Sequence, residues 1–378
     1  MRIAEQWIGA PGLQDLLRVL AEGGHRALLV GGCVRNALLG QPVADIDVAT
    51  DAPPLRVTML ATDAGLRVVP TGIDHGTVTV LADDAAYEVT TFRRDVETDG
   101  RRARVAFSDR LEEDAARRDF TMNALYAEAD GRLIDPLGGL ADLRAGRVRF
   151  VGQAADRIRE DYLRILRLFR FQAWYGREPL SAETLATVAH LAGGLDRLSR
   201  ERVGHEMRRL LAAPDPVAAV EAMAGVGVLA RVLQGAAPDA LARLVAIEAP
   251  HGPDWLRRLA MLASADTAQS LRLSRAEARQ FQDLLAAADG DNSPAELGWR
   301  MGAAAARDAL LVRAARHAQP MPDAWDVEVA RGVQAEFPLK AADLMPGLSG
   351  PALGARLRML EARWIDSDFT LSREQLLA

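Results

Sequence analysis

Lysine and cysteine are almost absent from this chain of 378 residues, which has one of each, Lys340 and Cys33. A lone cysteine excludes an internal disulfide and a cysteine-based zinc site, and a reducing, cytoplasmic setting is the default expectation. No apolar run approaches the roughly 18 residues of a membrane span, so no membrane association is expected. The N-terminal stretch carries Glu5 and Asp15 without an uninterrupted apolar core, so it is not read as a signal peptide. The six histidines are scattered and form no H-x-x-x-D pattern or His–Asp dyad. Neither the G-x-G-x-x-G dinucleotide fingerprint nor the Walker P-loop is present.

With 49% hydrophobic residues the chain can bury a substantial core, and its length suits two or three domains. The net charge of −6 argues mildly against a nucleic-acid partner, but its distribution matters more. Arg93, Arg94, Arg101, Arg102, Arg104, Arg110, Arg117 and Arg118 fall in one short stretch, and Arg157, Arg159, Arg164, Arg167 and Arg170 in another. A local basic groove on an acidic protein fits this pattern.

Apolar periodicity predicts a helix over 13–22, a strand over 27–30, a short helix over 34–39 and a strand over 45–49. A helix opened by Pro53-Pro54 follows, then strands at 67–70, 77–81 and 87–92. Residues 93–116 are charged and aperiodic and read as a flexible or partly ordered loop. A helix over 118–127 and strands at 132–136 and 147–151 complete a mixed sheet with helices. Beyond residue 150 the pattern is helical: 154–175, 182–191, 200–213, and further helices to 334.

The chemistry concentrates in Leu29-Val30-Gly31-Gly32-Cys33-Val34-Arg35-Asn36, followed by Asp45-Ile46-Asp47. Gly31 and Gly32 let backbone N–H groups approach phosphate oxygens at a helix start, and Arg35 can add a cation. Alone, such a pair reads first as a tight strand–helix turn. Asp45 and Asp47, two apart on a strand, point to one side and can hold Mg²⁺, a cation that prefers carboxylate and phosphate oxygens. Glu88 on the 87–92 strand is the candidate third carboxylate. Two further segments carry polar chemistry, Arg117-Arg118-Asp119-Phe120-Thr121-Met122-Asn123-Ala124 and Glu160-Asp161-Tyr162-Leu163-Arg164. On residue types alone, the first is a helix-terminal Asp beside arginines, and Asp161 with Arg164 is an ion pair one helical turn apart.

Together, L-V-G-G-x-V-R-N-x-L-L-G with D-x-D, R-R-D-F-T-x-N-A and E-D-x-x-R resemble the class II nucleotidyltransferases of the polymerase-β superfamily. These comprise CCA-adding tRNA nucleotidyltransferases and bacterial poly(A) polymerases. The resemblance is clear to about residue 215. It implies an α+β chain: a polymerase-β-like nucleotidyltransferase head with a mixed sheet over 1–145, a helical base-recognising neck over 146–212, and a helical body and tail binding tRNA over 213–378. It further implies catalytic roles for Asp45, Asp47 and Glu88, with Mg²⁺ on Asp45 and Asp47. Nucleotide contacts fall to Gly31, Gly32, Arg35, Arg118, Asp119, Asp161, Arg164, Arg167 and Arg170.

In the family, the E-D-x-x-R carboxylate and guanidinium act as an amino-acid template. A carboxylate accepts from cytosine N4 or adenine N6, which uracil O4 and guanine O6 cannot satisfy, so CTP and ATP are selected. The segment 93–116 resembles the family's flexible loop, which favours an enzyme that also adds A. Ser199-Arg200-Glu201-Arg202-Val203 resembles a supporting E-R-[IV] motif. The appended phosphohydrolase domain of some members is not expected. The implied activity is template-independent addition of CMP and AMP to a tRNA 3′ end, releasing pyrophosphate. A poly(A) polymerase or A-only enzyme shares every motif, and a non-catalytic RNA-binding protein is the alternative of another class. The oligomeric state, monomer or homodimer, stays open.

Overall fold

The structure is a computed structural model that describes all residues except 100, 101, 237, 264, 265 and 346, with side chains at 74, 95–99 and 102–105 also left undescribed. It divides into two compact units, Met1–Gln234 and Gly235–Ala378.

The first unit opens with helix α1 (Pro11–Glu22), strand β1 (Ala27–Val30), helix α2 (Gly32–Leu38) and strand β2 (Ile46–Thr50). Then come α3 (Pro54–Asp63), β3 (Arg67–Gly72), β4 (Thr77–Ala82) and β5 (Ala85–Thr91). With β8 (Tyr126–Ala127) and β9 (Leu133–Ile134) these strands form one sheet in the order β3-β4-β5-β2-β1-β8-β9. β2 runs parallel to β5 and antiparallel to β1, which makes the sheet mixed, as expected. Alternation decides the faces: Val78, Val80, Tyr87 and Val89 are buried on the side packed by α1 and α3. Leu28, Val30, Ala49 and Tyr126 lie in a second buried cluster with Phe92, Leu111, Ala115 and Val151. The open end of that second face carries the site.

Within 93–116, read from the sequence as a loop, the described residues include two strands and a helix. β6 (Arg93–Asp99) and β7 (Arg102–Phe107) pair antiparallel, followed by α4 (Leu111–Ala116); residues 100 and 101 lie outside the described residues. The helix expected over 118–127 is instead a single 3₁₀ turn, Thr121–Asn123, followed by β8. Cross-strand pairing of Tyr126 with Val30 overrides the helical reading of that apolar stretch. The strand expected over 147–151 is reduced to an isolated bridge, Phe120 to Phe150.

After α5 (Gly139–Ala145) the unit is helical: α6 (Ala154–Glu160), α7 (Leu163–Tyr175), α8 (Ala182–Leu191), α9 (Arg200–Leu211), α10 (Val217–Gly225) and α11 (Val228–Val232). The helix expected over 154–175 is therefore two. Asp161 adopts extended backbone (φ −153°, ψ 108°), which ends the first, and its carboxylate accepts from the Leu163 N–H at 3.1 Å at the start of the second.

The second unit holds α12 (Leu241–Glu248), α13 (Trp255–Leu262), α14 (Thr267–Ser270), α15 (Arg275–Asp289), α16 (Pro294–His317), α17 (Trp325–Gln334), α18 (Gly350–Asp366) and α19 (Arg373–Leu377). The last two lie beyond the helices legible in the sequence. α16 kinks at Gly302, whose φ of 79° and ψ of 168° only glycine adopts readily. Glu248, Arg257 and Arg258 are all buried and paired, and Arg257 also reaches Asp308 at 2.8 Å. Trp364 packs between Trp299, Phe337 and Phe369. Among the described residues no helix is long and apolar enough to cross a membrane.

Candidate active site

β1 ends at Gly31, whose φ of 73° and ψ of −119° reverse the chain into α2. A side chain there would be strained, and a Cβ would lie 3.4 Å from Arg118 Nη1. Around Gly32 the only approach within 4 Å of such a Cβ, among the described residues, is the end of the Arg35 side chain at 4.0 Å. The backbone at the start of α2 is thus left accessible, in keeping with the phosphate cradle anticipated from the sequence.

Asp47 lies on β2 with Val30 across one side and Glu88 across the other. In-register neighbours share a face, so Asp47 and Glu88 point the same way. Asp45 precedes the strand rather than belonging to it, and is exposed, as is Glu88. Burial pushes the Asp47 carboxyl up to about 6; Glu88 and Asp45 add to the rise and Arg118 opposes it. Among the described residues no three carboxylate, histidine or cysteine groups form a ready-made metal cluster. The donor set nonetheless fits a hard divalent cation. Two aspartates and a glutamate carry concentrated negative charge that Arg118 does not neutralise, and oxygen is their only donor type.

Arg118 is fixed from behind. Its Nη2 donates to Asp114 at 2.9 Å and its Nε to the Tyr126 hydroxyl at 3.0 Å, while that hydroxyl donates to Asp114 at 2.7 Å. Asp114 is 1% exposed, so this is a buried network that aims Nη1 toward Gly31. Nothing in the sequence marks Asp114 and Tyr126; their spacing from Arg118 becomes meaningful only once α4 and β8 are in place.

Asp119 does not face open space. Burial alone would raise its carboxyl, but Arg167, the Asn123 amide and the Phe120 N–H together hold it at about 2. Arg167 Nε donates to it at 2.7 Å and Asn123 Nδ2 at 3.0 Å. Arg35 is likewise turned inward, 8% exposed. Its guanidinium donates to Asn123 Oδ1 at 2.6 Å, to Asn36 and to the Tyr175 hydroxyl at 2.9 Å. Arg170 is buried against Glu206 at 3.0 Å. Burial lowers the Arg170 guanidinium to about 10 despite Glu206. Arg35, Arg167 and Arg170 converge on the ring of Phe171, at 5.2, 5.3 and 4.4 Å from its centre. Arg35 and Arg170 are thus held inward on the side of α7 that carries Phe171, while Arg167 stays partly exposed beside them.

Asp161 and Arg164 are not paired with each other, so the simple helical ion pair is set aside. Asp161 Oδ2 accepts from Arg202 Nη2 of α9 at 2.6 Å. Arg164 donates to Glu160, to the Arg157 carbonyl at 2.9 Å and to the Arg117 carbonyl at 3.1 Å. Arg202 thus gives physical content to the supporting role of the Ser199–Val203 segment.

The family model described as the poly(A) polymerase head domain matches residues 27–149, and that described as a probable RNA- and SrmB-binding site of polymerase A matches 179–239. The mitochondrial CCA tRNA nucleotidyltransferase 1 of Mus musculus is 43% identical over 206 residues, covering 53% of this chain and 47% of that protein. The CCA-adding enzyme of Geobacillus thermodenitrificans is 38% identical over 247 residues, covering 65% and 56%. The chain thus spans about half the length of the curated relatives it matches. The crystal structure of the Bacillus stearothermophilus CCA-adding enzyme in complex with CTP superposes with a TM-score of 0.77 at 30% identity, covering 94% of this chain and 92% of that one. The Thermotoga maritima CCA-adding enzyme complexed with tRNA shares the fold at 18% identity, with a TM-score of 0.68, covering 99% of this chain and 95% of that one. The chain belongs to the family of the CCA-adding nucleotidyltransferases.

Proposed function

We propose that this protein adds CMP and AMP, without a nucleic-acid template, to the 3′ end of tRNA, using CTP and ATP and releasing pyrophosphate. The single observation that carries the reading is the alignment of Asp47 with Glu88 beside Gly31, with Arg118 held against the same turn. Negative charge for a cation and open backbone for phosphates meet at one edge of the sheet.

Asp45 and Asp47 would hold Mg²⁺, flanked by Glu88. When bound, the cation supplies Lewis-acid stabilisation of charge on the primer 3′-oxygen and the α-phosphate. The N–H groups at the start of α2 cradle the triphosphate, and Arg118 Nη1 adds a fixed positive charge. Arg35, Arg167, Arg170 and Asp119 hold the nucleotide-facing surface in shape from within.

Asp161 and Arg164 read the base. Asp161 accepts an exocyclic N–H; Arg164 donates to ring acceptors. Cytosine and adenine offer the matching edge, whereas uracil and guanine place an acceptor against a carboxylate. The three-part division into head (1–145), neck (146–212) and body with tail (213–378) belongs to this proposal, with the last part holding tRNA largely by shape and phosphate contacts. The cytoplasm is the proposed setting.

The test is incorporation from each of the four nucleotides separately onto tRNA lacking its terminal CCA. Incorporation from CTP, little from UTP and GTP, and from ATP only once two C residues are present supports the reading. Incorporation from ATP alone replaces it with the A-only alternative, and none at all, with tRNA still bound, with the non-catalytic one.

A further inference from the structure

The C-terminus of α4 is capped by arginines from two different helices. Arg157 Nη1 on α6 donates to the carbonyl of Ala116 at 3.0 Å, and Arg164 Nη2 on α7 donates to the next carbonyl, that of Arg117, at 3.1 Å. The last carbonyls of a helix have no partner within it and carry the negative end of its dipole, so two guanidiniums there satisfy both needs. Glu160 then bridges the pair: one carboxylate oxygen takes Arg157 and the other Arg164. The Arg157 carbonyl accepts from Arg164 Nη1 at 2.9 Å. All three side chains are at most 18% exposed.

Donor counting gives this clamp a consequence. A guanidinium has five N–H groups. Both on Arg164 Nη1 are taken, by Glu160 and the Arg157 carbonyl, and one on Nη2 goes to Arg117. The Nε–H and one Nη2–H have no partner among the described residues. Two donors held at fixed positions match the two adjacent acceptors of cytosine, N3 and O2.

α4 is also the continuation of the β6–β7 pair. Ser108, just after β7, is bound through its N–H to the Phe92 carbonyl at 2.8 Å and through its hydroxyl to Glu113 of α4 at 2.8 Å. α6 in turn packs on β6.

We propose that Arg157 is a specificity-determining positioning residue. Its side chain ties Glu160, and through Glu160 the Arg164 guanidinium, to the end of α4, so that the direction of the two unpartnered donors, and hence the choice of base, depends on Arg157. This rests on Asp161 and Arg164 reading the base, as proposed above. Arg157 touches no substrate.

The test compares Arg157→Ala, Arg157→Gln and Arg157→Lys with the unaltered protein on tRNA lacking CCA, measuring kcat and KM for CTP, ATP and UTP together with thermal unfolding. Arg157→Ala is expected to raise KM for CTP and narrow the CTP-over-UTP preference by roughly tenfold or more, with kcat for CTP changed far less. Arg157→Gln should do the same if the alanine variant fails to fold. Arg157→Lys, which keeps the charge beside Glu160, should recover part of the preference. An unchanged preference in a folded Ala or Gln variant, or a loss confined to unfolding temperature or to kcat, overturns the proposal. Failure of the unaltered protein to use CTP and ATP would instead overturn the functional reading beneath it.

Discussion

Asp47 and Glu88 face each other in register across the parallel pair β2–β5, and burial with this neighbour pushes the Asp47 carboxyl up to about 6. A carboxylate held this way is a poor choice for stability and a good one for gripping a cation.

The first prediction follows from the sign of that shift. The folded pKa lies above the unfolded one, so without a cation the group destabilises the fold as pH rises from about 4 to about 6, fully above that range. Asp47→Asn should therefore stabilise the cation-free protein at pH 7 by on the order of 2 kcal/mol and abolish nucleotide incorporation. At pH 4 the gain should vanish. Urea unfolding at the two pH values reads it directly; equal midpoints at pH 7 would contradict it.

Asp119 carries the opposite sign. Held at about 2, it contributes stability that is present above the ordinary aspartate value and lost as pH falls toward 2. Asp119→Asn should unfold more easily at pH 7 by about 2–3 kcal/mol, because Arg167 loses its closest carboxylate. Its stability should also vary less between about pH 4 and pH 2 than that of the unaltered protein. A variant of undiminished stability would show that the Asp119–Arg167 contact is not a brace.

Gly31 carries a backbone requirement. At φ 73° and ψ −119°, Gly31→Ala should cost about 1–3 kcal/mol in strain and raise KM for both nucleotides by disturbing the start of α2. Gly32→Ala, with open space at its Cβ, should lose little stability, so its loss of nucleotide affinity would report on the cradle alone. Chemical denaturation paired with KM measurements separates the two.

Arg202 holds Asp161 at 2.6 Å. Arg202→Ala should leave that carboxylate anchored only through the Leu163 N–H, raising KM for CTP and ATP together and increasing UTP misincorporation. Arg202→Lys should be milder. Steady-state kinetics with the three nucleotides would show the difference, and unaltered KM values in both variants would detach Arg202 from base reading.

The sheet strands and the Gly31–Asp47 segment were legible because their signals are local: glycines at a turn, alternation on a strand, two aspartates two apart. The α4–β8 region is not legible locally, for a physical reason. Met122, Leu125 and Tyr126 form an apolar run without a decisive period, and pairing of Tyr126 with β1 makes the choice. The β6–β7 pairing is hidden in the sequence by the charge of its residues. The bracing partners Arg202, Glu206 and Tyr175 stand 36 to 140 residues from the groups they hold, beyond any local pattern. The family resemblance supplied roles for Arg35, Arg167 and Arg170; only the folded arrangement shows them gathered around Phe171.

The most direct test of the central claim is the 3′-terminal sequence of tRNA lacking CCA after incubation with the protein, Mg²⁺, CTP and ATP together. The account predicts products ending in C-C-A and no further growth. Tails of A alone, or extension unaffected by the combined Asp45→Ala and Asp47→Ala substitutions, would contradict it.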